Sequence, residues 1–209
     1  MGPTETVLMA GSRPGEILVA ALAAFVEHGV AGTSIEEIRR RSGASVGSIY
    51  HHFPGGKQAV AGALYVEGLR DYQDGFVNAL RGASSTRGGV EDAVTHHLTW
   101  VEEHADLARF IFLLGSGPGE DVAGGRELRG INRRFFTAVR AWMRPRVAAG
   151  ELRDLPTEVG TALWIGPSQE LARHWLGGRV TFPLTDAAGE LSAAAWRSLS
   201  GHPREERQS

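Results

Sequence analysis

Residues 33–57, TSIEEIRRRSGASVGSIYHHFPGGK, hold the side chains whose types and spacing can do chemistry. That chemistry is non-covalent: hydrogen bonds to base edges and charge contacts to phosphate. On a short helix begun by Ser45, the residues Ser45, Gly47, Ser48, His51 and His52 fall on one face. The face is small and rich in hydrogen-bonding groups, which suits close approach to a duplex. Val46, Ile49, Tyr50 and Phe53 recur at i, i+3, i+4 and i+7, and this spacing predicts a stripe that packs inward. Lys57 is the only lysine, against 21 arginines, and stands in the first turn of the next helix after Pro54, Gly55 and Gly56. A cation there opposes the helix dipole. An external phosphate would be drawn both by the ammonium and by the free N–H groups of the same helix end, which reads as a phosphate clamp. The candidate DNA contacts are Thr33, Arg39, Ser45, Gly47, Ser48, Tyr50, His51, His52 and Lys57.

Two short helices around a tight turn must position these groups. Thr33 with Glu36 three places on reads as a capping box that starts the first, with Ile35 and Ile38 inward. Gly43 permits the left-handed backbone that stops it, Ala44 is small enough for close helix crossing, and Ser45 caps the second helix. Pro54 ends that helix. A preceding helix from about Pro14 to Gly29, with Ile17, Leu18, Ala21, Leu22, Phe25 and Val26 inward, completes a three-helix unit that can lay one helix in the major groove.

Segment 33–57 resembles the DNA-binding domain of TetR-family transcriptional repressors, with SVGSIYHHF matching the family's recognition helix. Within the family, YHHFPGGK is most similar to the LmrA/YxaF-like branch. The resemblance covers residues 14 to about 80 and, more loosely, WIGPSQELARHWLGG near the C-terminus. It implies a ligand-responsive repressor acting as a homodimer on a palindromic operator and released by a small hydrophobic effector.

The rest of the chain reads as helical, with no sustained alternation of apolar and polar residues. The expected fold is all-α. An N-terminal three-helix helix-turn-helix domain is joined by a connector helix, Lys57 to about Arg81, to a C-terminal helical ligand-binding and dimerisation domain. The expected boundaries are a flexible N-terminus over 1–13, the DNA-binding domain over 14–60, the ligand and dimer domain over 61–200 and a flexible tail over 201–209. GASSTRGG at 82–89 reads as a loop. Further helices are expected at Val90–Val101, Leu107–Leu114, Val122–Ala149, Pro156–Leu176 and Thr185–Leu199, with Pro167 kinking the fourth of these.

Through the resemblance, Trp100, Phe110, Phe135, Trp142 and Trp164 become candidate pocket residues for a hydrophobic effector. Each alone is explained as well by core packing. The last two helices carry more apolar surface than a terminal hairpin needs, and Leu163, Leu171, Trp175, Leu191 and Trp196 are the candidate dimer contacts. A dimer would set two recognition helices about 34 Å apart along DNA.

Composition bounds the alternatives. A chain of 209 residues with 42% apolar residues can bury a core, and zero cysteines exclude disulfides and thiolate zinc fingers. No apolar run approaches the ~20 residues needed to span a bilayer and no leader pattern opens the chain, so a cytoplasmic protein with no membrane partner is expected. His96 and His104 share a helix face but lie ~12 Å apart, too far to hold one ion. Neither a metal nor another cofactor is expected. GSGPGEDVAGG at 115–125 follows a helix, not a strand, so it fails as a phosphate cradle and is read as a loop beside the pocket. An enzyme is not expected: the chain has no cysteine nucleophile, no GxSxG elbow, no HExxH pair and no evident acid–base couple. The net charge of −2 gives DNA binding no support by itself and keeps a protein-interaction module as the rival.

Overall fold

The computed structural model describes residues 2–9, 11–114 and 124–201, and among these every regular element is helical. In chain order they are α1 (Pro3–Val7), α2 (Arg13–Gly32), α3 (Ile35–Ser42), α4 (Val46–His52), α5 (Lys57–Gly82) and α6 (Thr86–Glu103). Then come α7 (Ala105–Arg109), running into a π-helical turn Phe110–Leu114, α8 (Gly125–Ala148), α9 (Thr157–Trp164) and α10 (Gly166–Leu176). A 3-10 turn, Leu184–Ala187, leads into α11 (Ala188–Leu199). Internal contacts divide the chain into two compact units. The first comprises the chain up to Tyr72 together with Glu103–Arg133, and the second Gln73–Glu102 with the chain from Arg134 on.

In the first unit α2 is the core helix. Ile17, Ala21, Ala24 and Phe25 are fully buried, and Phe25 stacks on Phe110 with ring centroids 5.7 Å apart. By length and composition alone this helix of 20 residues, with a mean hydropathy of 1.4 over its most apolar window, would be long enough to cross a membrane, although Arg13, Glu16 and Glu27 interrupt it. Here that apolarity lies in the core against α3, α4 and α7. Ser12 caps α2 by accepting from Gly15 N at 3.1 Å. The helix runs past Gly29, whose φ of +70° allows the kink there.

The N-terminus was expected to be flexible, but residues 3–7 form a helical turn and Leu8 is only 1% exposed. Gly15 makes this docking possible, since a Cβ there would lie 2.2 Å from Met9 O. Gly68 serves similarly where α5 crosses α7 and the π-helical turn: a Cβ would meet Leu107 Cδ1 at 2.9 Å and Ile111 Cδ1 at 2.7 Å.

In the second unit α6 is central, with Val90, Val94, Leu98 and Val101 sealed from solvent. Its start at Thr86 shortens the expected loop to three residues, 83–85. Gly89 marks the close approach of α8, for a Cβ there would lie 2.3 Å from Trp142 Cζ2. The helix expected from Pro156 to Leu176 is two helices. The break falls at Ile165, and Pro167 stands in the first turn of α10, where its missing N–H has no intrahelical partner to lose. The end of α11 is stitched to the segment after α8: Arg153 N donates to Leu199 O at 2.9 Å and Gly201 N to Glu151 O at 2.8 Å. Most of the 115–125 loop and the tail beyond Gly201 lie outside the described residues.

Candidate nucleic-acid interface

The two-helix unit forms as its turn chemistry dictates, displaced by one residue at its start. Ser34, not Thr33, caps α3, accepting from Glu37 N at 3.1 Å. Gly43 takes the left-handed conformation at φ +65°, and its N–H bonds Arg39 O at 3.0 Å. Ser45 then caps α4 by accepting from Ser48 N at 3.1 Å. Ile49 is fully buried and Phe53 nearly so, which anchors α4 from behind. Val46 and Tyr50, expected inward with them, are 42% and 48% exposed. Seven residues make only two turns, and a helix this short buries one line of side chains, leaving the flanks of the stripe at the surface. The Tyr50 ring lies across the following loop, where a Cβ on Gly56 would come 3.1 Å from its Cε1. Ser45, Gly47, His51 and His52 are exposed with Tyr50, while Ser48 is half-buried.

The basic cluster is not a bare positive patch. Arg39 pairs with Glu36 at 2.7 Å and Arg40 with Glu37 at 2.7 Å, while Arg41 reaches both Glu37 and Glu27, the latter at 2.6 Å. Hydrogen bonds from these guanidiniums hold the carboxyls of Glu36, Glu37 and Glu27 below their ordinary range. All six charges are therefore present at neutral pH and cancel. The i, i+3 spacing of Glu36 with Arg39 and of Glu37 with Arg40 carried this signal in the sequence. Arg39 is half-buried in its pair.

Thr33 and Lys57 are joined to each other. Thr33 is 3% exposed, and its hydroxyl donates to Ala24 O at 3.1 Å and Gly29 O at 2.8 Å, so its side chain is a strut inside the unit and not a surface contact. Lys57 Nζ donates to Thr33 O at 2.6 Å and Ala31 O at 3.1 Å. The ammonium thus sits on the carbonyls that end α2, the end of a helix that attracts a cation. Two of its three N–H groups are engaged there, which leaves one for a phosphate.

The candidate effector residues separate. Phe110 stacks on Phe25 in the first unit, whereas Trp100, Phe135, Trp142 and Trp164 belong to the second. There Phe76 links Phe135 at 5.4 Å and Trp164 at 5.6 Å, and Trp142 lies 6.0 Å from Trp164. Trp164 donates its indole N–H to Val90 O at 3.0 Å, which marks it as core. A cavity of about 290 Å³ does exist in this unit, between Val77 and Leu80 of α5 and Ala138, Ala141 and Trp142 of α8. Of the expected set only Trp142 lines it. Small residues at i and i+3, Ala138 and Ala141, were the available signal.

All five candidate dimer contacts, Leu163, Leu171, Trp175, Leu191 and Trp196, are half-buried, and Val159 and Phe182 nearby are 44% and 46% exposed. No group of three or more His, Asp or Glu side chains arranged to hold a metal occurs among the described residues.

The model of the family "Bacterial regulatory proteins, tetR family" matches residues 17–64, the whole two-helix unit with its supporting helix. The HTH-type transcriptional repressor KstR2 of Mycobacterium tuberculosis is 32% identical over 104 residues, 47% of this chain and 52% of that one. The chain thus matches about half the length of that relative. The HTH-type transcriptional regulator LmrA of Bacillus subtilis is 45% identical over 51 residues, 24% of this chain and 27% of LmrA. Among solved structures, the transcriptional regulator FadR from Bacillus subtilis in complex with stearoyl-CoA superposes with a TM-score of 0.74 at 14% identity, covering 88% of this chain and 97% of that one. That likeness extends the shared fold over both units. All three carry the name of transcriptional regulators or repressors. On these matches, residues 17–64 carry the helix-turn-helix domain of the tetR family of bacterial regulatory proteins, and the chain shares its helical fold with FadR.

Proposed function

We propose that the protein is a cytoplasmic, homodimeric transcriptional repressor that binds a palindromic operator and is released by a small effector held in its C-terminal helices. The observation that carries the reading is the exposed polar face of α4, Ser45, Gly47, His51 and His52, mounted on the buried Ile49 and Phe53. A rigid helix with an unoccupied hydrogen-bonding face is what base-edge readout requires. The named repressor KstR2 and the stearoyl-CoA complex of FadR support the repressor and effector parts. The five half-buried apolar residues of α9, α10 and α11 are proposed as the dimer contact. The domain boundary is placed within the connector helix α5.

Selection of bound fragments from a random DNA pool tests the reading. It predicts an inverted repeat whose half-sites lie one helical turn apart. Recovery of no motif, or of a single half-site, would sink it. Effector and operator must weaken each other by the same factor.

The paired arginines favour one rival, a protein-interaction module that never touches DNA. A gel shift over a range of salt concentrations separates them, because only the repressor shows affinity falling steeply with salt.

A further inference from the structure

The cavity between α5 and α8 has a polarity that its apolar walls conceal. Two cationic side chains stand on it, Arg81 from the last turn of α5 and Arg146 from α8. Neither guanidinium has a carboxylate partner among the described residues. Arg146 lies over the Trp142 ring at 4.0 Å and donates from Nη1 to Trp142 O at 2.7 Å, which fixes it in place. Its Nε is nevertheless a buried donor with no acceptor in the protein, and so is the indole Nε1 of Trp142, a residue only 9% exposed. Buried donors without acceptors are uncommon and costly. Here two of them lie on adjacent side chains of one cavity.

We propose that this cavity binds a small amphipathic carboxylate, its acid group held by Arg81, Arg146 and the Trp142 indole N–H, and its apolar body seated on Val77, Leu80 and Ala138. A carboxylate offers about four lone-pair sites, enough for two guanidinium edges and an indole. Arg81 and Ala141 are exposed, so the mouth opens to solvent and a charged ligand can enter. The volume of about 290 Å³ stands at the small end of the roughly 300–1,000 Å³ of ligand sites, which limits the ligand to a short chain or a single ring system. This deepens the effector part of the reading above and rests on it only for the consequence at the operator.

Titration calorimetry on the full chain, without DNA, tests the site with decanoate and its neutral counterpart decan-1-ol as probes. Decanoate should bind one per chain and at least about tenfold more tightly than the alcohol. Arg81→Gln should weaken decanoate about tenfold and leave the alcohol unchanged, since Arg81 is exposed and its loss leaves the core intact. Arg146→Gln should do the same, but it also removes the bond to Trp142 O, so Arg81→Gln decides. Ala138→Phe should close the cavity to both probes in a protein whose helix content and thermal unfolding are retained. Equal binding of the two probes, no binding of decanoate, or indifference of decanoate to Arg81→Gln overturns the proposal. Because the titration contains no operator, its failure leaves DNA binding standing, and a failed DNA selection leaves the titration standing.

Discussion

Lys57 has two uses at once: it closes the carbonyl end of α2 and retains one N–H for a phosphate. Two measurements separate them. Lys57→Ala should lower unfolding free energy by about 1 kcal/mol, the order of a half-exposed charged hydrogen bond, in chemical denaturation. It should also weaken binding to every DNA sequence and reduce the salt slope by about one. A stability loss with an unchanged slope would assign the lysine to the protein interior alone. Glu36 makes the opposite case. Its carboxylate occupies Arg39, so Glu36→Gln should raise affinity for random DNA and steepen the salt dependence; unchanged binding would show that Arg39 never meets a phosphate. The types of these residues were legible in the sequence, but their partners were not. Lys57 bonds carbonyls 24 and 26 residues away, and no local spacing encodes that.

Among the helices, sequence periodicity placed every long element; it missed the five-residue α1 and erred where a single residue decides between two caps or two helices. Thr33 and Ser34 are both capping residues by type. Thr33 is drawn inside by two carbonyls of α2, which leaves the cap to Ser34. The cavity between α5 and α8 was illegible for a similar reason, since it depends on how Ala138 and Ala141 face Val77 and Leu80 across two helices distant in sequence. Close crossings give their own prediction. Gly68→Ala should destabilise the protein by about 1–3 kcal/mol in thermal unfolding, because the added methyl meets Leu107 and Ile111 side chains at under 3 Å. Within α6, burial and the neighbouring His96 push the His97 imidazole down to about 4 from its ordinary 6.5. The unfolded chain binds the extra proton, so stability present above about pH 6.5 should drain away as pH falls towards 4, by roughly 1.4 kcal/mol per pH unit. His97→Gln should flatten that slope; an unchanged slope would place the acid sensitivity elsewhere.

At the scale of the whole molecule, a repressor reading needs two copies, because one seven-residue recognition helix offers too few base contacts for useful discrimination. Leu191→Arg, at a half-buried position on α11, should shift sedimentation to a monomer and abolish operator binding while the helical content stays. A dimer that survives the change would move the contact to another face. The −2 net charge and the paired arginines predict that such a dimer stays off random DNA at physiological salt and relies on its two half-sites. The chain also carries a single lysine, and it stands at the proposed DNA face. Amine-directed acylation therefore modifies one side chain, cancelling its charge and releasing its hold on α2 in the same event. The rate of that labelling, read by mass spectrometry, becomes a footprint of operator occupancy that needs no engineered tag.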